Sequence, residues 1–169
     1  MSPGPTRVQR TAARVIVRDA SGLILLFNGA DPAVPEVRYW FTPGGGLDDG
    51  ETFHEAAARE LREEASLDVT DLGDAVREDV EEFSFEGVLY TQRQRFFAVE
   101  LSVDARDVEI DSGRWTDFER RSIRRYRWWS LAEIGSSPDA IYPADLADLV
   151  RAVQVWGAAV PSRGSAGPS

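Results

Sequence analysis

The sequence contains no cysteine, which excludes disulfides, thiolate zinc sites and a cysteine nucleophile. That absence fits a reducing compartment. Lysine is absent too, and every basic residue apart from His54 is arginine. A lysine nucleophile and a P-loop lysine are therefore excluded. Positive charge is scarce overall, with 19 basic against 29 acidic residues and a net charge of −10. Such a chain lacks the basic field that draws a phosphate backbone, so no nucleic-acid partner is expected. A small polyanion could still bind through metal ions. Long hydrophobic runs are missing as well. The aliphatic stretch Leu23 to Phe27 is far too short to span a bilayer, and Met1 to Arg10 lacks the apolar core of a signal peptide. A cytoplasmic protein with no membrane partner is expected.

What is present fits one folded unit. The chain has 169 residues, 43% of them hydrophobic, enough for a single packed core. Residues 1–10, with two prolines and little apolar content, read as a flexible arm. The Ser/Gly/Pro-rich end reads as a disordered tail over 159–169. Residues 11–158 are then the domain. Within it, Ala12 to Arg18 and Leu23 to Phe27 read as a strand hairpin about the turn Asp19 to Gly22. Asn28 to Pro35 reads as loop, Val37 to Thr42 as a strand, and Gly44 to Gly46 as a flexible loop. Val76 to Phe85 and Val88 to Leu101 read as two long strands about Glu86-Gly87. Tyr126 to Ser130 reads as a strand. Ser130 and Glu133 have capping-box spacing, and an apolar stripe of Leu146, Leu149, Val150 and Val153 predicts a last helix over Ala144 to Val155. The fold class is α/β: a mixed sheet with helices packed on it.

The clearest helix is Thr52 to Ala65. Thr52 with Glu55 three residues later is a capping-box pattern, and the interior is rich in strong helix formers. Glu60, Glu63 and Glu64 fall three and four residues apart, which brings three carboxylates to one face. Without a counter-ion, each close pair costs about 0.2–0.5 kcal/mol of helix stability. A hard divalent cation such as Mg²⁺ or Mn²⁺ removes that repulsion and prefers oxygen donors. It also bridges phosphate oxygens and activates water, the main requirements for cleaving a phosphate anhydride. Taken alone, the three acids are matched by an ordinary solvated acidic face.

The surrounding spacing tips the balance. Gly45, Glu51, Arg59-Glu60, Leu61, Glu63-Glu64 and Leu67 resemble the Nudix box, G-x5-E-x7-R-E-U-x-E-E-x-G-U with U a bulky aliphatic. Six fixed positions at roughly 7% usage each match by chance on the order of 10⁻⁷ per register. One position departs: Ser66 stands where the box has glycine, a residue that favours the left-handed turn ending a helix.

The resemblance covers about Ala12 to Val155 and implies the Nudix fold, an α/β/α sandwich. It implies Glu60, Glu63 and Glu64 as metal ligands, with the Gly44 carbonyl as a further one, and Mg²⁺ or Mn²⁺ as cofactor. It implies a structural ion pair between Glu51 and Arg59. The activity implied is hydrolysis of a small substrate, a nucleoside diphosphate linked to another moiety, with nucleoside triphosphates among the candidates. Glu60 and Glu63 are then catalytic, with a further acid from a late loop. Glu119 is the candidate for that acid, with Asp117 the alternative. A non-catalytic nucleotide-binding or regulatory module of the same family is the competing reading, and a homodimer is compatible with either. For the substrate, Arg38, Trp40 and Arg127 are candidate contacts. The basic stretch Arg114, Arg120, Arg121, Arg124, Arg125 and Arg127 could meet phosphates, and Trp115, Trp128 and Trp129 could stack a base. Trp128 and Trp129 point to opposite sheet faces, so only one of them can face a given site.

Overall fold

The computed structural model describes residues 2–162, without the side chains of Phe118, Arg121, Ser122 and Arg124. The expected tail beyond residue 162 lies outside the described residues. Ten strands form one mixed sheet. They are β1 (Arg7–Arg18), β2 (Ile24–Asp31), β3 (Val34–Phe41), β4 (Gly44–Gly46), β5 (Leu67–Asp71), β6 (Arg77–Phe85), β7 (Val88–Leu101), β8 (Ile123–Trp129), β9 (Ala140–Tyr142) and β10 (Gly157–Pro161). The helices are α1 (Phe53–Ala65), α2 (Asp117–Ser122), α3 (Leu131–Ser136) and α4 (Leu146–Ala152). The main path runs β5-β10-β7-β1-β2-β3-β9, with β4 on β1, β6 on β7 and β8 on β2. Pairing is parallel for β1/β7, β7/β10 and β3/β9 and antiparallel elsewhere. No helix among the described residues is long and apolar enough to cross a membrane.

The alternation of β1 and β2 builds two cores. Ala13, Val15, Val17, Leu25 and Phe27 face one way, against Ala56, Ala57, Leu61 and Ala65 of α1. Ile16, Ile24 and Leu26 face the other way, against Ile134 of α3 and Leu146, Leu149 and Val150 of α4. This is the expected α/β/α sandwich, because a sheet with both faces apolar must be covered on both. Leu61 is fully buried, which stabilises the α1–sheet contact by about 2–3 kcal/mol.

Several boundaries differ from the sequence expectation. Arg7 to Arg10, read as arm, are the first residues of β1 and pair in register with Leu89 to Gln92. Backbone pairing orders them although they carry little apolar surface. The tail reading fails at its start, since Ala159 to Pro161 belong to β10, paired with both β5 and β7. Ala159 is buried there, a small residue that gives little sequence signal. The β1/β2 hairpin is joined only at its root, Arg18 to Ile24; beyond it β2 pairs with β3 and β8. Residues Asn28 to Asp31 continue β2 instead of forming a loop. Gly44 to Gly46 are a strand, locked to Ala12–Arg14 of β1. The last helix is short, and Val155 is 81% exposed beyond it.

Candidate active site

Helix α1 supplies most of the site. Its start is set by Thr52, whose side chain accepts from the Glu55 N–H at 3.1 Å. Its end is set by Ser66, which sits in the left-handed region at φ 55° and ψ 42°. Serine is strained there relative to glycine, but its hydroxyl accepts the Asp111 N–H at 2.9 Å. The departure from the glycine pattern thus ties the helix end to the segment leading to α2.

Between these ends α1 lies over β4, and close approach is possible because β4 is all glycine. A Cβ on Gly45 would fall 2.5 Å from Glu60 Oε1. A Cβ on Gly44, whose φ is +143°, would fall 2.1 Å from the Ala13 carbonyl oxygen. Glu64 is 3% exposed and its Oε2 accepts the Gly44 N–H at 2.9 Å. Glu60 is 6% exposed; its Oε1 accepts from Arg59 Nη1 at 3.0 Å, and its buried Oε2 has no hydrogen-bond partner.

Arg59 organises the cluster. It makes a two-pronged pair with Glu51, Nε to Oε2 and Nη2 to Oε1, both at 2.8 Å. Its Nη2 also donates to the Gly46 carbonyl at 3.0 Å, and its Nη1 reaches Glu63 Oε2 at 3.3 Å. One guanidinium therefore fixes loop, strand and two carboxylates. Its own charge is held more firmly than in a free arginine, first by the Glu51 hydrogen bonds. The same bonds hold the Glu51 carboxyl below the usual range.

Glu119 arrives from α2. Thr116 and Glu119 form a reciprocal capping box, with Glu119 Oε2 accepting the Thr116 N–H at 2.7 Å. Trp115 anchors this turn by donating its indole N–H to the Glu64 carbonyl at 2.9 Å. Carboxylate oxygens of Glu60, Glu63 and Glu119 then lie within 4.8 Å of one another. Asp117, the alternative late acid, is exposed and outside this cluster. Burial, then Glu119 and Glu63 against the opposing pull of Arg59, pushes the Glu60 carboxyl up to about 7. Burial and Glu60 raise Glu64 well above the ordinary carboxylate value, against the Gly44 N–H. Crowded, desolvated acids with an unmet oxygen are what a hard cation would relieve, and the all-oxygen donor set fits Mg²⁺ or Mn²⁺.

The cluster opens on a cavity of about 760 Å³. Two aromatic groups form part of its walls: Tyr39 with Phe41 and Tyr142, and Phe83 stacked on Tyr90 with Phe85. Its cations are Arg10 and Arg14 of β1, together with Arg59. The sequence reading missed Arg10 and Arg14, although two arginines four apart on one strand share a face. Burial and the nearby Arg14 hold the Arg10 guanidinium below the ordinary arginine value, against the pull of Glu60, Tyr90 and Glu64.

The expected substrate contacts lie elsewhere. Arg38 is exposed on β3 and is not part of the cavity wall. Trp40 is 2% exposed, packed edge-on to Trp129 in the α3/α4 core, with its indole N–H on Asp139. Arg127 pairs with Glu133 and covers the Trp129 ring. Strand alternation sends these side chains away from the α1 side. Arg114 and Arg120 turn to Asp111 and the Gly113 carbonyl, and Arg125 lies over Trp40. The side chains of Arg121 and Arg124 lie outside the described residues. Trp128 packs against the α1-side core and Trp129 in the opposite one.

A mixed sheet between helices, with a glycine strand under a carboxylate-bearing helix, defines the α/β/α sandwich class. The NUDIX domain family matches residues 8–152, and the chain belongs to the Nudix family of hydrolases. It is 31% identical over 144 residues to an RNA pyrophosphohydrolase of Rhodopseudomonas palustris, covering 79% of each chain. Among solved structures it is similar to a MutT protein from Methanosarcina mazei, with TM-score 0.62, 20% identity, and 86% and 92% of the two chains covered. A Nudix hydrolase from Nitrosomonas europaea gives TM-score 0.56 at 18% identity, covering 85% and 87%. These structural likenesses concern the fold.

Proposed function

We propose that the chain hydrolyses a phosphate anhydride bond in a nucleoside diphosphate linked to another moiety. The cation, Mg²⁺ or Mn²⁺, would be held by Glu60, Glu63, Glu64 and Glu119 with the Gly44 carbonyl. One observation carries this reading. Three carboxylates converge within 4.8 Å at the wall of a large cavity, one of them with a buried oxygen left unmet. Bound there, the metal supplies charge neutralisation for the phosphates and a lowered pKa for water.

The chain's own groups do the positioning. Arg59 holds Glu60 and Glu63 from one nitrogen, the Gly44 N–H holds Glu64, and the Thr116 N–H holds Glu119. Glu63 is the most solvent-accessible of the four, its side chain 35% exposed, so its Oε1 is assigned the proton of the attacking water. The aromatic walls exclude water from the reacting bond and offer stacking faces for a base.

The test is a substrate panel with Mg²⁺ or Mn²⁺, read as phosphate or pyrophosphate release. It contains nucleoside triphosphates, nucleotide sugars, dinucleoside polyphosphates and an RNA oligomer carrying a 5′-terminal polyphosphate. The last arm tests a second reading favoured by the 31% identical RNA pyrophosphohydrolase, against which the net charge of −10 weighs. Turnover of no member refutes the enzyme reading; nucleotide binding without turnover favours the non-catalytic module. Activity surviving Glu63→Gln with Glu64→Gln at saturating metal refutes the metal assignment.

A further inference from the structure

We propose that Arg10 and Arg14 are an anion grip for the phosphate chain of a di- or polyphosphate ligand, set beside the carboxylates along the same glycine strand in the cavity wall. The assignment of that anion to the substrate rests on the hydrolase reading above.

Much of the positive charge in this chain is spent on acids. Arg18, Arg59, Arg62, Arg77, Arg93, Arg95, Arg106 and Arg127 all pair with acids. Arg10 and Arg14 line the cavity, yet among the described residues neither guanidinium has a hydrogen bond or an ion pair. Arg14 lies over the Phe41 ring, 5.9 Å from its guanidinium carbon, and acts on Glu64 and Tyr39 through space without a hydrogen bond. Both are partly buried, and the two like charges lie close enough to oppose each other. Placing two mutually repelling, desolvated cations beside each other carries a cost that the pull of Glu60 and Glu64 offsets only in part. A binding partner that neutralises both would offset that cost.

Their neighbours leave them available. Across the parallel pairing Arg10 stands beside Gln92, whose buried amide oxygen has no partner. The Gln92 amide oxygen is therefore not what holds Arg10. It lies instead against β4, where a Cβ on Gly46 would come within 2.8 Å of its Nε. Arg14 is in register with Gly44. Gly44 holds Glu64 through its N–H, and Gly46 holds Arg59 through its carbonyl. The same glycine strand therefore sets both the acids and the two free guanidiniums.

The ligand class follows from this charge layout. A metal bound at the acids would take up part of a phosphate chain's charge, and two guanidiniums supply further planar, two-pronged donors. A single phosphate cannot satisfy both groups as well as a linked pair can, so the site suits pyrophosphate and its esters.

The experiment uses the full chain in EDTA, with inorganic pyrophosphate as probe and calorimetry as readout. Wild type is expected to bind, and Arg10→Gln or Arg14→Gln to weaken binding about 10–100-fold each, the scale of a charge-assisted hydrogen bond. Arg106→Gln, a distant exposed arginine, is the control. With the nucleotide that is turned over, each variant raises KM more than it lowers kcat, and Arg10→Lys or Arg14→Lys retains part of what the glutamine variant loses. Melting temperature changes little, because no hydrogen bond or ion pair is lost and relief of the Arg10–Arg14 repulsion offsets the weakened pull of Glu60 and Glu64. Wild type failing to bind pyrophosphate, or a protein carrying both Arg10→Gln and Arg14→Gln binding as wild type does, overturns the proposal. So does weaker binding that tracks a drop in melting temperature. Pyrophosphate binding that depends on both arginines in a protein turning over no nucleotide leaves the grip standing and removes the hydrolase reading.

Discussion

Glu60→Gln separates the cost of the carboxylate cluster from its use. In the metal-free protein the Glu60 carboxyl is pushed from 4.5 up to about 7. A raised carboxylate pKa means the folded state binds more protons than the unfolded state. The favourable contribution is then fully present below about 4.5 and is lost as pH rises through about 7. At pH 8 the ionised side chain costs about 3 kcal/mol, because a tenfold change in proton affinity is worth about 1.4 kcal/mol. At pH 5 the cost shrinks to below about 1 kcal/mol. Glutamine is isosteric, keeps an oxygen for Arg59 Nη1, and carries no charge. In EDTA at pH 8 the variant should therefore melt about 6–12 °C above wild type, at roughly 2–4 °C per kcal/mol for a chain of this size. At pH 5 the gap should nearly close. Saturating Mg²⁺ should raise the wild-type melting temperature and move the variant little, because ligand-linked stabilisation needs the ligand. Thermal melts across pH with and without Mg²⁺ measure all of this. A variant less stable than wild type in EDTA at pH 8, or a gap that does not depend on pH, refutes the reasoning.

Three further outcomes follow from the same geometry. Gly45→Ala drives a methyl into the Glu60 carboxylate and should raise the metal concentration for half-maximal activity about 10–100-fold, as loss of ligand support does; unchanged metal dependence would contradict the packing of α1 on β4. Ser66→Ala loses the Asp111 hydrogen bond but keeps the left-handed strain, costing about 1 kcal/mol, whereas Ser66→Gly should be near neutral because relief of strain offsets the lost bond; denaturant midpoints distinguish the two. Arg38→Ala and Arg127→Ala should leave kcat/KM within about two-fold, since exposed ion pairs and free surface arginines contribute little; a ten-fold rise in KM would return them to the substrate site.

What the sequence could disclose was whatever a local pattern encodes. The α1 acids and Thr52 sit at fixed offsets along one helix, so spacing places them, and the Glu51–Arg59 pair came from the resemblance to the Nudix box. The β6/β7 hairpin was legible for the same reason: Glu86 and Gly87 both take positive φ, the turn geometry that suits a two-residue connection. The edges of the sheet were not. Arg7 to Arg10 and Ala159 to Pro161 gain their order by pairing with β7 and β5, strands far away in sequence. Polar or small residues give no periodic signal of such pairing.

The substrate side of the cavity was hidden by the same non-local logic, and it explains why a basic run misled. Six arginines between Arg114 and Arg127 look like a phosphate site because they are close in sequence. Those with described side chains are mostly consumed locally, by Asp111, Gly113 and Glu133 or over Trp40 and Trp129. Arg10 and Arg14 are unremarkable in sequence, yet the β1/β4 and β1/β7 pairings carry them to the carboxylates, and among the described residues their guanidiniums have no hydrogen bond or ion pair. Charge density along a chain measures supply. A binding site is marked by charge that the fold has desolvated and left unspent, and that becomes visible only once every ion pair has been placed.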